Sequence, residues 1–140
     1  MIDFTIAVKN ALEEQDKTIQ NLFDDNVVSK NTFYKYVYRT PSLKTIFKIA
    51  NYLEVSLDYL FEFTDENNFN KYSLKNENFY DNLIALLKTN NISGRKFCND
   101  LNYSISNINR WEKGINPTLQ TLFEISNYLK CSLDDLLIKF

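Results

Sequence analysis

A chain of 140 residues can form one domain or two very small ones. Apolar residues make up 44% and aromatics 15%, with eleven Phe and nine Tyr, so a packed core can form without metal or disulfide support. Two cysteines, Cys98 and Cys131, with no histidine exclude a zinc-ligand set, a disulfide framework and any Ser-His or Cys-His nucleophile pair. A net charge of −2 argues, taken alone, against nucleic acid as a partner. The chain shows no phosphate-cradling glycine loop, no charged-then-apolar leader and no apolar run near the ~18 residues of a membrane helix. The expectation is a cytoplasmic protein that is not an enzyme, holds no metal or cofactor and does not enter a membrane.

In chain order, the acidic residues Glu13, Glu14, Asp16, Asp24 and Asp25 come first. From Asn26 to Leu53 there is no acidic residue, while Lys30, Lys35, Arg39, Lys44 and Lys48 are all basic. Within that window Leu43, Ile46, Phe47, Ile49, Ala50 and Leu53 recur at helical spacing and predict a buried helix face. Ser56 predicts the cap of a short final helix, with Asp58 at its positive end. Residues 65–76 are polar and lose the periodicity, which predicts a linker, although Phe69 and Tyr72 are able to pin it to one domain.

Five helices are predicted beyond it. The first covers 77–89 and buries Leu83, Ile84, Leu86 and Leu87, and the second, 93–101, is capped by Ser93. Asn102 and Tyr103 form a tight turn, with Asn in a left-handed conformation. The third covers 104–112, capped by Ser104, with Ile108 and Trp111 facing inward. Gly114 supplies its left-handed end and Pro117 stops it from restarting. The fourth covers 118–129, and Ser132 caps the fifth, 132–138, with Asp134 and Asp135 in its first turn.

The two halves repeat one another. From Pro41 to Phe63, twelve of 23 positions are identical at an offset of 76, including Asn51-Tyr52-Leu53 with Asn127-Tyr128-Leu129. Two copies only, each of about 64 residues, indicate a domain duplication, 1–64 and 77–140, and not a solenoid. Neither copy has strand-like alternation, so the fold class is all-α, twice over.

Within the second copy, the capped helix, tight turn and capped helix ending in Trp-Glu-x-Gly, then Pro117 and Ser-Leu-Asp-Asp-Leu, resemble the lambda-repressor-like, Cro/XRE-type helix-turn-helix family. The resemblance covers nearly all of 77–140 and implies double-stranded DNA as partner. Copy one resembles the family with departures: its third helix lacks the Glu and Gly, and Phe23 stands where a small residue, Cys98 in copy two, is expected. The resemblance also implies an arginine partner for Glu112 in helix one, where this chain has Leu87.

The outward positions of the third helices are the candidate DNA-binding residues. In copy one these are Lys30, Asn31, Tyr34, Lys35 and Tyr38, followed by Arg39; in copy two they are Ile105, Ser106, Asn109, Arg110 and Lys113. Asn pairs with the adenine edge, Arg and Lys with guanine, and Ile reaches only a thymine methyl. The resemblance adds a phosphate grip at the start of helix two, Gly94 through its backbone with Arg95 beside it. Cys98, Cys131 and Trp111 are expected in the core. The function expected is a bacterial or phage transcriptional repressor, with an antitoxin-like or repressor-antagonist protein-interaction module as the competing reading. A dozen linker residues reach about 20 Å as a coil and about 40 Å extended, so one chain can span major grooves ~34 Å apart. A homodimer is the alternative arrangement, favoured if Phe61, Phe63, Leu137, Ile138 or Phe140 is exposed.

Overall fold

In the computed structural model, which describes residues 3–75 and 77–139, every regular element among the described residues is a helix. The all-α expectation holds. The chain divides into two compact units, Met1–Leu74 and Lys75–Phe140. Unit 1 contains α1 (Phe4–Glu14), α2 (Ile19–Asp24), α3 (Lys30–Tyr34) running on into a 3-10 turn (Lys35–Val37), α4 (Leu43–Leu53) and α5 (Leu57–Leu60). Unit 2 contains α6 (Phe79–Thr89), α7 (Gly94–Leu101), α8 (Ile105–Glu112), α9 (Leu119–Leu129) and α10 (Leu133–Leu137).

Small hydroxyl residues set the helix starts. Ser29, Ser42 and Ser56 in unit 1, and Ser93, Ser104, Thr118 and Ser132 in unit 2, each accept from a backbone N–H in the following turn. Each such cap contributes ~1 kcal/mol. Asn102 ends α7 at φ 59°, and Gly114 follows α8 at φ 90°, as the sequence predicts. Glu54 and Lys130 end α4 and α9 in the same left-handed region, φ 52° and 53°, without a glycine.

The cores follow the helical stripes. In unit 1, Val8, Leu22, Ile46, Ile49, Ala50 and Leu57 are sealed from solvent, and α4 buries all six residues expected of it. In unit 2 the sealed residues include Leu83, Phe97, Leu122, Ile125, Leu133 and Leu136. The same edge-to-face aromatic pair locks the first helix to the third element in each: Phe4 on Tyr36 at 5.8 Å and Phe79 on Trp111 at 5.4 Å.

Some placements differ from expectation. α6 begins at Phe79, and its inward stripe is Phe79, Leu83 and Leu87 at four-residue spacing; Leu86 is half-buried and Ile84, about 100° round the helix from Leu83, faces solvent. Cys131 is half-buried, although Val55, its counterpart at the repeat offset, is sealed. Phe61, Leu137 and Ile138 are buried and give no surface for pairing two chains, whereas Phe63 is exposed. Phe140 lies outside the described residues.

The segment expected to be a linker is folded onto unit 1 as far as Tyr72, one of the two residues expected to be able to pin it. That side chain is buried, stacks on Phe47 at 5.0 Å and 5°, and accepts a hydrogen bond from the Leu57 N–H at 2.7 Å. Leu57 opens α5, so its N–H has no intrahelical acceptor and the phenol supplies one. Asn51 clamps the same residue twice: its Nδ2 donates to the Tyr72 carbonyl (3.0 Å) and its Oδ1 accepts from the Tyr72 N–H (2.8 Å). Upstream, Asn67 donates to the Glu54 carbonyl and accepts from the Ser56 N–H, both at 2.9 Å, bridging the turn between α4 and α5. A free span of a dozen residues is therefore not available.

Removing the phenol oxygen tests this strap. Tyr72→Phe keeps the stacking but orphans a buried amide, and a loss of ~1–3 kcal/mol is expected. Tyr72→Ala also opens a cavity and should cost ~3–5 kcal/mol. Urea unfolding followed by circular dichroism should rank the proteins wild type, Phe, Ala.

Candidate nucleic-acid interface

α7, the Asn102–Tyr103 turn and α8 form two short helices joined by a tight turn. Close approach of the two helices depends on small residues. Cys98 is buried with its Sγ 3.9 Å from the Ser104 carbonyl, and a Cβ on Gly94 would stand 3.3 Å from Ile108 Cδ1. Gly94 thus has a packing reason beside its expected phosphate role. Burial pushes the Cys98 thiol up, away from the reactive thiolate.

The back of α8 is fixed by aromatics. Trp111 is buried against Phe79 and meets Tyr103 at 6.1 Å, edge to face; Tyr103 in turn packs on Phe97 at 5.9 Å. The far end is held by a bond that the sequence did not disclose: Tyr80 Oη donates to Glu112 Oε2 at 2.7 Å. A tyrosine on α6 thus fills the partner role for which the family resemblance implied an arginine, while Leu87 is buried in the core. At the turn, Tyr103 Oη donates to Glu124 Oε1 of α9 at 2.5 Å.

With that back fixed, Ile105, Ser106, Asn109, Arg110 and Lys113 are all exposed on α8 and its C-terminal end. Ser106 is partly committed, since its hydroxyl lies 2.9 Å from the Ser104 hydroxyl and its N–H donates to the same oxygen. Arg95 is exposed at the start of α7 and Gly94 is half-buried. Lys96, on the same turn, forms an ion pair with Asp100 at 3.1 Å, and Asp100 also accepts from Tyr128 Oη at 2.5 Å. These two donors hold the Asp100 carboxyl below its usual range.

Residues 83–136 match the helix-turn-helix family. The matched span takes in α7, the turn and α8 whole and lies within unit 2. No curated protein and no solved structure matches the chain.

The third helix of unit 1 is shorter. α3 has five residues and passes into the 3-10 turn, where unit 2 has eight continuous helical residues. Lys30, Asn31, Tyr34, Lys35, Tyr38 and Arg39 are all exposed. Phe23, standing where Cys98 stands in unit 2, is half-buried and packs sideways on Phe33 (6.0 Å) and Tyr34 (6.1 Å). That contact accommodates the bulk and ties down one face of Tyr34. Tyr52 Oη donates to Asp25 as Tyr128 does to Asp100, so the brace between second and fourth helices recurs.

Two outcomes check this geometry. Trp111→Ala should cost ~3–5 kcal/mol in urea unfolding of unit 2, because it empties the pocket behind α8; a variant that unfolds like wild type places the indole on the surface instead. The second outcome concerns pH. Burial first, then the bond to Glu124, pushes the Tyr103 phenol well up from its ordinary value. The folded state thus favours the protonated phenol, so this contribution is full below pH ~10, where the unfolded phenol ionises, and is lost as pH rises beyond it. Urea midpoints from pH 7 to 11 should fall above pH 10, and Tyr103→Phe should start lower but fall less steeply. Parallel declines would exclude Tyr103 as a source.

Proposed function

We propose that this protein is a sequence-specific double-stranded DNA-binding regulator, a transcriptional repressor of a bacterial or phage genome acting in the cytoplasm. The observation that carries the reading is α8: a helix capped by Ser104, fixed from behind by Trp111, and presenting Asn109 and Arg110 to solvent within a helix-turn-helix match. Arg110 suits bidentate pairing with guanine, Asn109 with adenine, and Ile105 apolar contact with a thymine methyl. Gly94, Arg95 and Lys113 flank that face and suit phosphate contacts that set register. Unit 1 is read as a diverged second copy of the module, supported by the same helix order, matching caps and the repeated aromatic pair. No helix among the described residues is long and apolar enough to cross a membrane.

A second reading, a protein-interaction module of the same fold, is favoured by one feature. Val37 and Tyr38 are 69% and 90% exposed beside Tyr34, an apolar tip larger than a surface turn needs.

Binding of the whole chain to pooled random duplexes across a salt series separates the two. If about five phosphates are neutralised, log affinity should fall against log salt with a slope near −4 to −5. Arg110→Ala should weaken binding to a selected duplex by ~1–3 kcal/mol. No duplex binding at low salt, or binding indifferent to salt, leaves the interaction module standing.

A further inference from the structure

The two units carry different charge on equivalent surfaces. At the repeat offset, Lys44 and Lys48 of α4 correspond to Gln120 and Glu124 of α9, and all four are exposed. In unit 2 Glu124 accepts from Tyr103 and, at 3.5 Å, from the Gln120 amide, so a carboxylate stands beside the helix-turn-helix. In unit 1 the two corresponding positions on α4 are lysines, and an acid, Asp25, stands one helical turn beyond Lys48, where it accepts from Tyr52. Tyr36 of the 3-10 turn is hydrogen-bonded to Thr45, next to Lys44, and feels the positive charge of Arg39. Lys35 adjoins the same tyrosine in sequence, and Lys48 lies one helical turn beyond Lys44. Meanwhile α3 offers little for reading bases. After five residues it tightens into the 3-10 turn, which eclipses side chains three apart and breaks the regular face that α8 keeps over eight residues, and Tyr34 is partly held by Phe23.

We propose that the units divide the labour of binding, a reading that rests on the DNA-binding assignment above. Unit 1 grips the phosphate backbone of duplex DNA through Arg39, Lys44 and Lys48, whatever the sequence, and α8 of unit 2 supplies the discrimination between sequences. Phosphate contacts supply affinity and salt dependence, whereas base-edge contacts supply selectivity, so the two contributions separate cleanly in measurement.

The test uses the full chain with a duplex selected from a random pool and an unselected duplex, each titrated from low to moderate salt. The triple variant Arg39→Ala, Lys44→Ala, Lys48→Ala should lose affinity for both duplexes alike and flatten the salt slope by about 3, leaving their affinity ratio within twofold or so of wild type. Arg110→Ala should shrink that ratio on the order of 10- to 100-fold and change the slope by about 1 or less. In the converse direction, Gln120→Lys should steepen the slope by about 1 without changing the ratio. All of these positions are exposed, and thermal melts of each variant verify folding. The proposal is overturned if the triple variant collapses the ratio or leaves the slope unchanged. It is also overturned if the basic face binds phosphatidylserine vesicles in preference to either duplex. Wild-type protein that binds neither duplex overturns the DNA assignment itself and this division with it. Loss of selectivity in the triple variant with intact duplex binding overturns the division alone.

Discussion

Each unit depends on one edge-to-face aromatic contact between its first helix and its third element, Phe4 on Tyr36 and Phe79 on Trp111. Such pairs add about 0.5–1.5 kcal/mol to what burial supplies, and they also fix rotation, because an aromatic edge fits a face in few orientations. Once Trp111 is seated, the helical repeat leaves Ile105, Asn109 and Arg110 no option but to face outward. Tyr80 and Glu112 then hold the far end of the same helix. The outward face of α8 is thus defined from behind, by groups buried on its other side.

On that shared skeleton the units are finished differently. Asn51 and Asn127 occupy equivalent places, yet Asn51 clamps the backbone of Tyr72 while Asn127 is exposed. The lysines of α4 give way to glutamine and glutamate on α9. A total charge of −2 averages these surfaces and conceals the basic one. Local charge decides how a surface meets a polyanion, since screening limits each charge's reach to about 8–10 Å at ordinary salt.

Much of this was legible in the sequence because it is encoded locally. A serine before an apolar stripe states where a helix begins, and Asn102 or Gly114 after it states where it ends. The six buried residues of α4 could be read from spacing alone. Ile84 does not belong with the buried residues expected of α6, since it stands about 100° round the helix from Leu83, off the stripe of Phe79, Leu83 and Leu87. Tyr72 could be singled out as able to pin the segment, but its partners could not: Phe47, Asn51 and Leu57 are 15 to 25 positions away and leave no periodic trace. The bond from Tyr80 to Glu112 spans 32 positions and leaves no periodic trace. Among the candidate DNA-binding residues, exposure was predictable from the wheel, whereas the sharing of Ser106 with Ser104 and of Tyr34 with Phe23 needed coordinates.

The strap through Tyr72 has a consequence for how the chain is made. A ribosome delivers residues in order, and domains tend to fold as they emerge. The five helices of unit 1 are complete by Leu60, but the N–H that opens α5 and the side chain of Asn51 receive their partners only when Tyr72 has cleared the exit. Until then the nascent unit holds a Leu57 N–H without its acceptor, beside the Ser56 cap, and an uncovered Phe47 face. Closure of the first half is thereby timed to the arrival of the segment leading into the second.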